Sequence, residues 1–530
     1  MQLAGDKPAA PEPHKPLTAT VINADVTDVE TDALVVNLFQ GVESPGGATG
    51  AVDAALGGAI SRLIAAGDLR GKLGETAVLY PQGEIRAKRV IVVGLGPERS
   101  FSVEAARRAA GAASLAAKRV GAADLATVAH GAASGSLGAS LQPEAAAQAT
   151  LEGALLATYS FAGWRNAKDE RRLERVTLVE VDPAKATAFE DAARVANALN
   201  AGASLARDLV NMPPNVATPR FIAEKALALT ASTSLKVEVG DLAWAEARKM
   251  GAYVAVGRGS ANPPAFVRME HNAARKAAHN DLPTIVLVGK GVSFDSGGLS
   301  MKTAAGMVTM KCDMGGAAAV IGTMLAVSLL DLPLHVVGLC PCVENMPDGA
   351  AYRPGDVLVA SNGVSIEIIS TDAEGRLALA DALVHAGEYK PQAVIDMATL
   401  TGASVTALGA GVASSLFSTD DSLSQALVES GQQSGEKVWP MPLFDDYRQT
   451  IKSKVVADIK NSGGQQTGVG TAAVFLQEFT SYPWAHVDMA GMALDDAGSK
   501  DKPYQVPGAT GYGVRLLVGY LRGAARRAVT

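Results

Sequence analysis

The run Thr284-Ile-Val-Leu-Val288, followed at once by Gly289 and Lys290, decides the fold class of this chain. A short and almost wholly apolar run of this kind is typical of a strand covered on both faces, as in parallel sheets. Similar runs occur at residues 335–343, 393–398 and 485–489, and each leads directly into polar or glycine-rich residues. Ligands of open α/β sheets bind beyond the carboxyl ends of the strands. The sequence therefore predicts a mostly parallel central sheet, flanked by helices, with a site along one edge.

The first third of the chain has its own alternation of strands and helices. Apolar runs at 33–38 and 90–93 are followed by alanine-rich helical patterns, which favours a second, smaller α/β domain. Residues 183–210 have helical periodicity and end at Asn211-Met-Pro213-Pro214, a clear helix stop. We predict a loose leader over 1–16, a smaller N-terminal α/β domain over 17–182 and a larger C-terminal α/β domain over 183–530, with a connector helix at about 183–210.

Composition restricts the class of protein. Hydrophobic residues make up 48% of the 530 residues and charged residues 19%, so a large core is expected rather than general disorder. The net charge of −7 gives no global attraction to nucleic acid or to an anionic membrane. The longest uncharged apolar run, 314–330, is shorter than the ~20 residues of a membrane span, which favours a buried helix. No signal peptide is visible and three cysteines form no disulfide framework, so we expect a soluble, cytoplasmic protein.

Carboxylates are concentrated where the apolar runs end. Asp295 follows Lys290 closely, Asp313 precedes an apolar helical run, and Asp372 and Glu374 lie two residues apart at a predicted strand-to-helix turn. Such charges are costly to bury unless they pair or hold a metal. Several oxygen ligands from different elements suit divalent cations such as Zn, Mn, Mg or Co. Asp313 taken alone is explained better as a helix N-cap, which aspartate favours.

The cations near these carboxylates have two interpretations. Lys302 and Arg376 are explained equally well as salt-bridge partners or as electrophiles that stabilise negative charge on a substrate oxygen. Lys290 could take either role, or could bind a metal as the neutral amine, because burial beside a cation depresses the pKa of a lysine. The seven histidines show no HxxxH or HxH spacing, which disfavours a histidine-based zinc site.

Several long motifs occur together and in one order. They are Val288-Gly-Lys-Gly-Val-Ser-Phe-Asp-Ser-Gly-Gly, Lys302 with Lys311-Cys-Asp-Met-Gly-Gly, Thr371-Asp-Ala-Glu-Gly-Arg-Leu, Arg207-Asp-Leu-Val-Asn-Met-Pro-Pro-Asn, Tyr352-Arg-Pro-Gly-Asp and Ala398-Thr-Leu-Thr-Gly. This set closely resembles the leucine aminopeptidase (cytosol aminopeptidase) family over about residues 185–520. Residues 17–182 look like the variable N-terminal domain of that family, far less distinctively. The resemblance makes 183–530 the catalytic metallopeptidase domain.

The resemblance implies a two-metal exopeptidase that removes apolar N-terminal residues such as Leu from peptides. The tighter ion would be held by Lys290, Asp295, Asp313 and Glu374, and the more exchangeable ion by Asp295, Asp372 and Glu374. Mn or Zn are the implied metals, with Co and Mg as further candidates. By the same resemblance, Lys302 would stabilise the gem-diolate and Arg376 would hold a bicarbonate ion as general base.

The family also implies substrate contacts and an assembly. Thr399 and Leu400 would line the substrate site, and Met310, Gly402 and Ala490 would shape the pocket for the N-terminal side chain. A homohexamer is implied in the same way. One position departs from the family pattern, because Ser370 stands where the family usually has Asn. The alternatives are a DNA-binding regulatory protein, since some relatives bind DNA, and a catalytically impaired structural homologue; the acidic balance and the intact carboxylate and lysine set oppose them.

Overall fold

The computed structural model describes residues 11, 15–132, 142–161, 163–164, 172–279, 282–464 and 468–529. The chain divides into two compact units. As far as they are described, the first unit comprises residues 15–204 with Ala497–Pro507, and the second comprises 205–496 with 508–529. The division therefore lies inside the predicted connector helix. The predicted leader, 1–16, lies outside the described residues apart from residues 11, 15 and 16.

The first unit is built on a six-stranded sheet. Its strands are β1 (Ala19–Asn23), β2 (Ala33–Leu38), β3 (Thr76–Leu79), β4 (Val90–Gly94), β5 (Asp124–Thr127) and β6 (Arg175–Glu180). They are arranged in the order β1-β6-β5-β2-β4-β3, and every neighbouring pair is parallel except β3 with β4. The apolar runs noted in the sequence form β2 and β4, which are almost fully buried at the centre of the unit.

Helices lie between the strands of this first unit, and a further helix follows the last strand and continues into the second unit. They are α1 (Gly47–Ala55), α2 (Ala59–Ala66), α3 (Val103–Arg119), α4 (Pro143–Leu156) and α5 (Pro183–Asn211), with 3-10 turns at Val26–Asp28 and Glu98–Ser100. The distant segment Ala497–Pro507 joins the unit through Tyr504, which packs with Leu156 and Ala203 and donates a 2.7 Å hydrogen bond to Glu104 Oε1. Nothing in the local sequence of that segment indicates this partner, because the pairing depends on contacts four hundred residues apart.

The second unit has more strands than the first, and nine of them form its main sheet. Its strands are β7 (Lys236–Gly240), β8 (Ala265–His271), β9 (Thr284–Gly289), β10 (Gly291–Asp295), β11 (His335–Asn345), β12 (Val357–Val359), β13 (Ser365–Glu367), β14 (Ala393–Ala398), β15 (Ser414–Ser418), β16 (Val438–Pro440), β17 (Ile459–Lys460), β18 (Trp484–Asp488), β19 (Leu494–Asp495) and β20 (Gly508–Ala509). The main sheet has the order β16-β15-β18-β14-β9-β11-β8-β7, with β10 beside β11. Its centre, β18-β14-β9-β11, is parallel. The prediction of a two-domain α/β fold with a mostly parallel central sheet is confirmed.

The helices of the second unit flank this sheet. They are α6 (Pro219–Ala228), α7 (Leu242–Ala247), α8 (Gly251–Gly257), α9 (Ala273–His279), α10 (Ala304–Met307), α11 (Gly315–Leu330), α12 (Glu374–Ala386), α13 (Gly402–Leu408), α14 (Asp421–Ser434), α15 (Asp445–Ile451), α16 (Gly468–Gln477) and α17 (Val514–Val529), with 3-10 turns at Leu229–Ala231, Met310–Met314 and Gly387–Tyr389. The helical stretch Ala304–Leu330 is long and apolar enough to cross a membrane, yet 83% of its most apolar window is buried inside the protein. It therefore has the character of a core helix.

Strand β9 is followed almost at once by a second strand. The chain does not leave the sheet at Lys290, because it resumes as β10, which pairs with the end of β11. The amide of Lys290 still donates to Met397 O on β14, at 3.0 Å. Lys290 therefore lies at the point where the chain passes from β9 to β10, and Asp295 is the last residue of β10.

Candidate active site

The ammonium of Lys290 contacts oxygen atoms from three different parts of the fold. Its Nζ lies 2.8 Å from Asp313 Oδ1 and 2.8 Å from Glu374 Oε1, and it donates a 3.0 Å hydrogen bond to Thr399 O. Asp313 belongs to the 3-10 turn before α11, and Glu374 is the first residue of α12. All three charged side chains are almost fully buried. The N-cap of α11 is Met314, so Asp313 is not the helix cap that the sequence alone favoured.

Lys302 joins a second pair of carboxylates. Its Nζ lies 2.8 Å from Asp295 Oδ2 and 2.5 Å from Asp372 Oδ1. The other oxygen of Asp295 accepts hydrogen bonds of 2.8 Å from the amide of Gly297 and from Asn345 Nδ2, which fix the orientation of the carboxylate. The Lys302 side chain is 20% exposed, whereas that of Asp295 is 3% exposed. Lys302 is therefore the cation of this cluster that solvent or a ligand can reach.

The carboxylates outnumber the cations in this cluster. Ligand oxygens of Asp295, Asp372 and Glu374 all lie within 4.8 Å of one another, and Asp313 is joined to Glu374 through Lys290. Four carboxylates against two lysines leave a formal charge of −2 (−4 + 2). Burial, together with the charge of neighbouring carboxylates, raises the pKa of Asp295, Asp313 and Asp372 despite the lysines. The buried Oδ2 of Asp313 has no hydrogen-bond partner among the described residues. Excess negative charge and an unsatisfied carboxylate oxygen fit divalent cations.

Both lysines are held in the charged form by this surplus. Burial favours the neutral amine of Lys290, but Asp313 and Glu374 outweigh burial and raise the pKa well above its ordinary value. Burial also favours the neutral amine of Lys302, but the carboxylate of Asp295 raises the pKa of the Lys302 ammonium above its ordinary value. Lys290 can become a neutral ligand only when another cation compensates the same carboxylates.

Glycines allow the elements of the site to approach closely. A Cβ on Gly316, at the start of α11, would lie 2.0 Å from Met397 O and 2.8 Å from Lys290 N. A Cβ on Gly375, in α12, would lie 2.5 Å from Lys290 Nζ. All three distances are below 3.0 Å, so a side chain at either position would force its neighbours to move. These two glycines therefore let α11 and α12 bring Asp313 and Glu374 within reach of Lys290.

Arg376 lies in the first turn of α12 and is 9% exposed. Its Nη1 donates a 2.8 Å hydrogen bond to Asn461 O, while its buried Nε has no partner among the described residues. Burial lowers the pKa of Arg376 to about 10, against the charges of Glu374 and Asp488, so the guanidinium remains charged at neutral pH. A charged planar group with an unused donor suits a small planar anion.

Asn461 holds the loop that presents Asp372. Its Oδ1 accepts from the amides of Ile369 at 2.8 Å and Ser370 at 3.3 Å, and its Nδ2 donates to Ser370 O at 2.6 Å. Its own carbonyl accepts from Arg376. Asn461 is fully buried. One asparagine thus fixes both the backbone before Asp372 and the guanidinium of Arg376.

Replacement of Asn461 by Ala should loosen the loop that carries Asp372. Because outer-shell partners of metal ligands typically contribute ~10–100-fold to metal affinity, we expect a loss of that size. N461D keeps the acceptor for the two amides but turns a carboxylate oxygen toward Ser370 O, so a loss in this variant as well would show that the donor is required. Competition for Mn with a chelating dye measures both variants. Wild-type metal affinity in a folded N461A variant would rule out this positioning role.

Three of the five predicted substrate-binding residues, Thr399, Leu400 and Ala490, lie on loops that follow β14 and β18. Thr399 Oγ1 donates to Asp313 Oδ1 at 2.9 Å, which ties this loop to the carboxylate cluster. The amides of Leu400 and Ala490 both donate to Asp488 Oδ1, at 3.1 Å and 3.2 Å. Gly402 opens α13 with open space at its Cβ position, and Met310 opens the turn that carries Asp313.

Three further residues of the site were not predicted from the sequence. Asn345 follows an apolar run and donates to Asp295, and only its place at a strand end signalled a role. Asp488 lies within an apolar run, and Asn461 lies in a polar segment without any recognisable motif. Most of their partners are far away in sequence, so spacing could not reveal them.

Comparison with known proteins supports one family over both units. The catalytic-domain model of the cytosol aminopeptidase family matches residues 204–518, and the N-terminal-domain model of the same family matches 35–168. A probable cytosol aminopeptidase of Roseiflexus castenholzii is 42% identical over 513 residues, which cover 96% of this chain and 99% of that protein. Its counterpart in Geobacter sulfurreducens is 40% identical, with coverage of 96% and 100%.

Solved structures agree with this assignment. The bottromycin maturation enzyme BotP in complex with Mn has a TM-score of 0.81 and 35% sequence identity, and the alignment covers 93% of this chain and 100% of that one. A tomato leucine aminopeptidase variant has a TM-score of 0.84 and 32% identity, with coverage of 97% and 98%. Together with the carboxylate and lysine cluster, these matches show that the chain belongs to the cytosol aminopeptidase family, whose members are peptidases.

Proposed function

We propose that this protein is a dinuclear-metal aminopeptidase that hydrolyses the N-terminal peptide bond of peptides and prefers apolar residues such as Leu. Membership of the family establishes an aminopeptidase that acts on peptides. The observation that carries the finer proposal is the buried group of four carboxylates and two lysines, with its net charge of −2 and the unpartnered Asp313 Oδ2. A purely structural ion-pair network has no reason to keep two negative charges uncompensated.

Each lysine would have a distinct role at the two metal sites. The tighter ion would be held by Lys290, Asp295, Asp313 and Glu374, and the exchangeable ion by Asp295, Asp372 with its backbone carbonyl, and Glu374. Mn and Zn suit these ligands, as do Co and Mg. When bound, the ions would supply a water of lowered pKa and a bicarbonate would supply a general base. Lys290 would act as a neutral amine, because the ions replace it as the compensating charge.

Lys302 and Arg376 act on the reacting groups. The ammonium of Lys302, which is partly exposed, stabilises the negative charge that develops on the oxygen of the scissile carbonyl. Arg376 orients bicarbonate through its guanidinium, and its buried, unpartnered Nε supports that role. Thr399 and Leu400 line the path of the substrate backbone, and Met310, Gly402 and Ala490 shape the pocket of the N-terminal side chain.

Location and assembly follow from the family by analogy. The relatives named above are probable cytosol aminopeptidases, so we propose a cytoplasmic enzyme, and a homohexamer is part of the same proposal. DNA binding is the second candidate, and salt-dependent retention on DNA at physiological ionic strength would favour it. The net charge of −7 argues against it.

The departure at Ser370 is expected to be nearly silent. Ser370 Oγ accepts a 3.2 Å hydrogen bond from the amide of Asp372, and an Asn side chain makes the same local turn. Asn461 meanwhile bonds the backbone of residue 370, which does not depend on its side chain. We expect S370N to change kcat/KM and metal preference by less than about threefold. A larger shift in steady-state kinetics with Mn, Zn or Co would show that the serine tunes the site.

Hydrolysis of leucyl p-nitroanilide, with and without a chelator, tests the proposed function. Activity should vanish in chelator and return when Mn, Zn or Co is added. N-acetyl-leucyl p-nitroanilide is the matched control, because blocking the free amine should abolish cleavage by an exopeptidase. Chelator-resistant turnover, or equal cleavage of the blocked substrate, would contradict the proposal.

A further inference from the structure

Asp488 is a buried carboxylate to which the proposed function assigns no role. It is the last residue of β18, its side chain is fully buried, and both of its oxygens accept hydrogen bonds. Oδ1 accepts from the amides of Leu400, Thr401 and Ala490, at 3.1, 3.4 and 3.2 Å, and Oδ2 accepts from Thr401 Oγ1 at 2.6 Å. A buried carboxylate that is satisfied in this way serves the groups that donate to it rather than a ligand.

The donors to Asp488 come from two separate loops. Leu400 and Thr401 follow β14, and Ala490 follows β18. The two strands are parallel neighbours in the main sheet, with Ala398 opposite Asp488. The three donor residues are only partly buried, whereas Asp488 itself is inaccessible. Asp488 therefore joins, from inside the protein, the two loops that a substrate would meet.

The hydroxyl of Thr401 extends this connection to α13. Thr401 is the N-cap of α13, and its Oγ1 accepts from the amide of Ser404 at 3.1 Å, which leaves its single proton for Asp488. Ser404 Oγ also donates to Asp488 O, at 3.2 Å. Beyond the end of the helix, the amide of Gly411 donates to Gly491 O at 2.9 Å. Both ends of α13 are thus tied to β18 or to the loop that follows it.

The loop after β14 is also attached to the carboxylate cluster. Thr399 O accepts from Lys290 Nζ at 3.0 Å, and Thr399 Oγ1 donates to Asp313 Oδ1 at 2.9 Å. The segment 399–401 is therefore held between the cluster on one side and Asp488 on the other. Its position relative to the cluster depends on both attachments.

We propose that Asp488 is a positioning residue that sets the specificity of the peptidase for the N-terminal side chain of its substrate, by holding Leu400, Gly402 and Ala490 in place around the pocket. This inference rests on the proposed function, which places those three residues at the substrate. Asp488 acts through them and does not touch the substrate. Its charge strengthens this hold, because hydrogen bonds to an ionised acceptor are roughly twice as strong as those between neutral groups.

Asp488→Asn is the first test variant. Asparagine has a similar shape but offers one acceptor oxygen and one donor amide. Its Nδ2 has to face either the hydroxyl of Thr401 or the backbone amides of the two loops, so at least one set of bonds is lost. Thr401→Val removes the hydroxyl at the other end of the same bond, and it allows the comparison even if D488N is unstable. Thr401→Ser keeps the hydroxyl and remains a good N-cap, so it should behave as the wild type.

Asp396→Asn is the matched control. Asp396 is also a fully buried carboxylate, and it lies on β14. It accepts from Trp484 Nε1 at 2.7 Å and lies 2.5 Å from His486 Nδ1, both on β18. These contacts join the same two strands within the sheet rather than in the loops. D396N should therefore lose stability without a change in specificity.

Steady-state kinetics with leucyl and alanyl p-nitroanilide measure the specificity. We expect D488N and T401V to lower kcat/KM at least ~10-fold for the leucyl substrate and less than ~3-fold for the alanyl substrate, because the larger side chain depends more on the pocket walls. The loss should lie in KM rather than in kcat, since the pocket also binds the ground state. T401S and D396N should keep the wild-type ratio of the two substrates, and every variant should keep the wild-type metal content.

Hydrogen exchange followed by mass spectrometry tests the two loops independently of activity. Peptides that cover 399–404 and 488–492 should exchange at least ~10-fold faster in D488N and T401V than in the wild type, and at the wild-type rate in D396N. Unchanged exchange at both loops in these two variants would overturn the positioning role. Faster exchange with an unchanged ratio of leucyl to alanyl cleavage would overturn the role in specificity.

Failure of the proposed function gives a different result. A wild-type protein that cleaves neither substrate with any added metal would contradict the peptidase itself, and the role of Asp488 in specificity would fall with it. The exchange rates of the two loops would still show whether Asp488 holds them.

Discussion

Lys302→Ala is expected to lower kcat by ~10²–10³ while the protein remains folded, because loss of one preorganised oxyanion donor has a cost of that size. Lys302 is the partly exposed cation of the cluster, 2.8 Å from Asp295 and 2.5 Å from Asp372. Removing it leaves those carboxylates more negative, so metal affinity should be kept or increased. Steady-state kinetics and metal content, measured together, separate a catalytic loss from a metal loss.

A control distinguishes the charge of Lys302 from its bulk. Lys302→Met keeps the length of the side chain without the ammonium, and should lose activity as K302A does. Lys311→Ala removes a lysine of the same segment whose Nζ donates to Asn211 O at 3.3 Å, away from the carboxylate cluster, and should be nearly normal. Near-normal turnover of K302A with bound metal would remove Lys302 from the reaction.

Glu374→Gln should cause the largest loss of metal. The side chain is 2% exposed, contacts Lys290 and lies within 4.8 Å of the ligand oxygens of Asp295 and Asp372. Glutamine keeps the shape and can still accept from Lys290, but it removes the negative charge that would bridge both ions. Since outer-shell changes alone cost ~10–100-fold in metal affinity, loss of a direct ligand should exceed ~10²-fold. Equilibrium dialysis with elemental analysis measures the ions retained per chain.

Asp381→Asn is the matched control for this variant. Asp381 lies on the same helix, α12, is fully buried, and accepts from the amides of Tyr253 at 2.9 Å and Ser361 at 2.7 Å. It takes no part in the proposed metal sites, so D381N should keep the wild-type number of ions even if it is less stable. Two ions per chain in E374Q, or lost ions in D381N, would refute the bridging role.

The central strands of the second unit could be predicted because their signal is local. Apolar runs that end in glycine or polar residues read directly as buried strands, and 284–288 and 393–398 are such strands in the structure. The candidate site was visible for the same reason, since buried charges at strand ends have a high energetic cost. Different roles for Lys290 and Lys302 could be expected only from the family resemblance.

The remainder depends on contacts between distant residues. Arg376 donates a hydrogen bond to Asn461 O although the two residues are 85 positions apart in sequence. No sequence pattern near either residue indicates the other. Lys290 satisfies Asp313, Glu374 and Thr399 at once because α11, α12 and β14 converge, which local spacing does not encode. The local sequence favoured Asp313 as a helix cap for this reason, because a cap and a buried partner of a distant lysine have the same local sequence.

Anomalous diffraction from crystals grown with Mn is the most direct test of a dinuclear centre. Two peaks per chain are predicted, both among Lys290, Asp295, Asp313, Asp372 and Glu374. Lys302 should coordinate neither ion. In E374Q crystals at least one of the two peaks should disappear. No peak in this cluster, or Mn bound only elsewhere on the chain, would contradict the account.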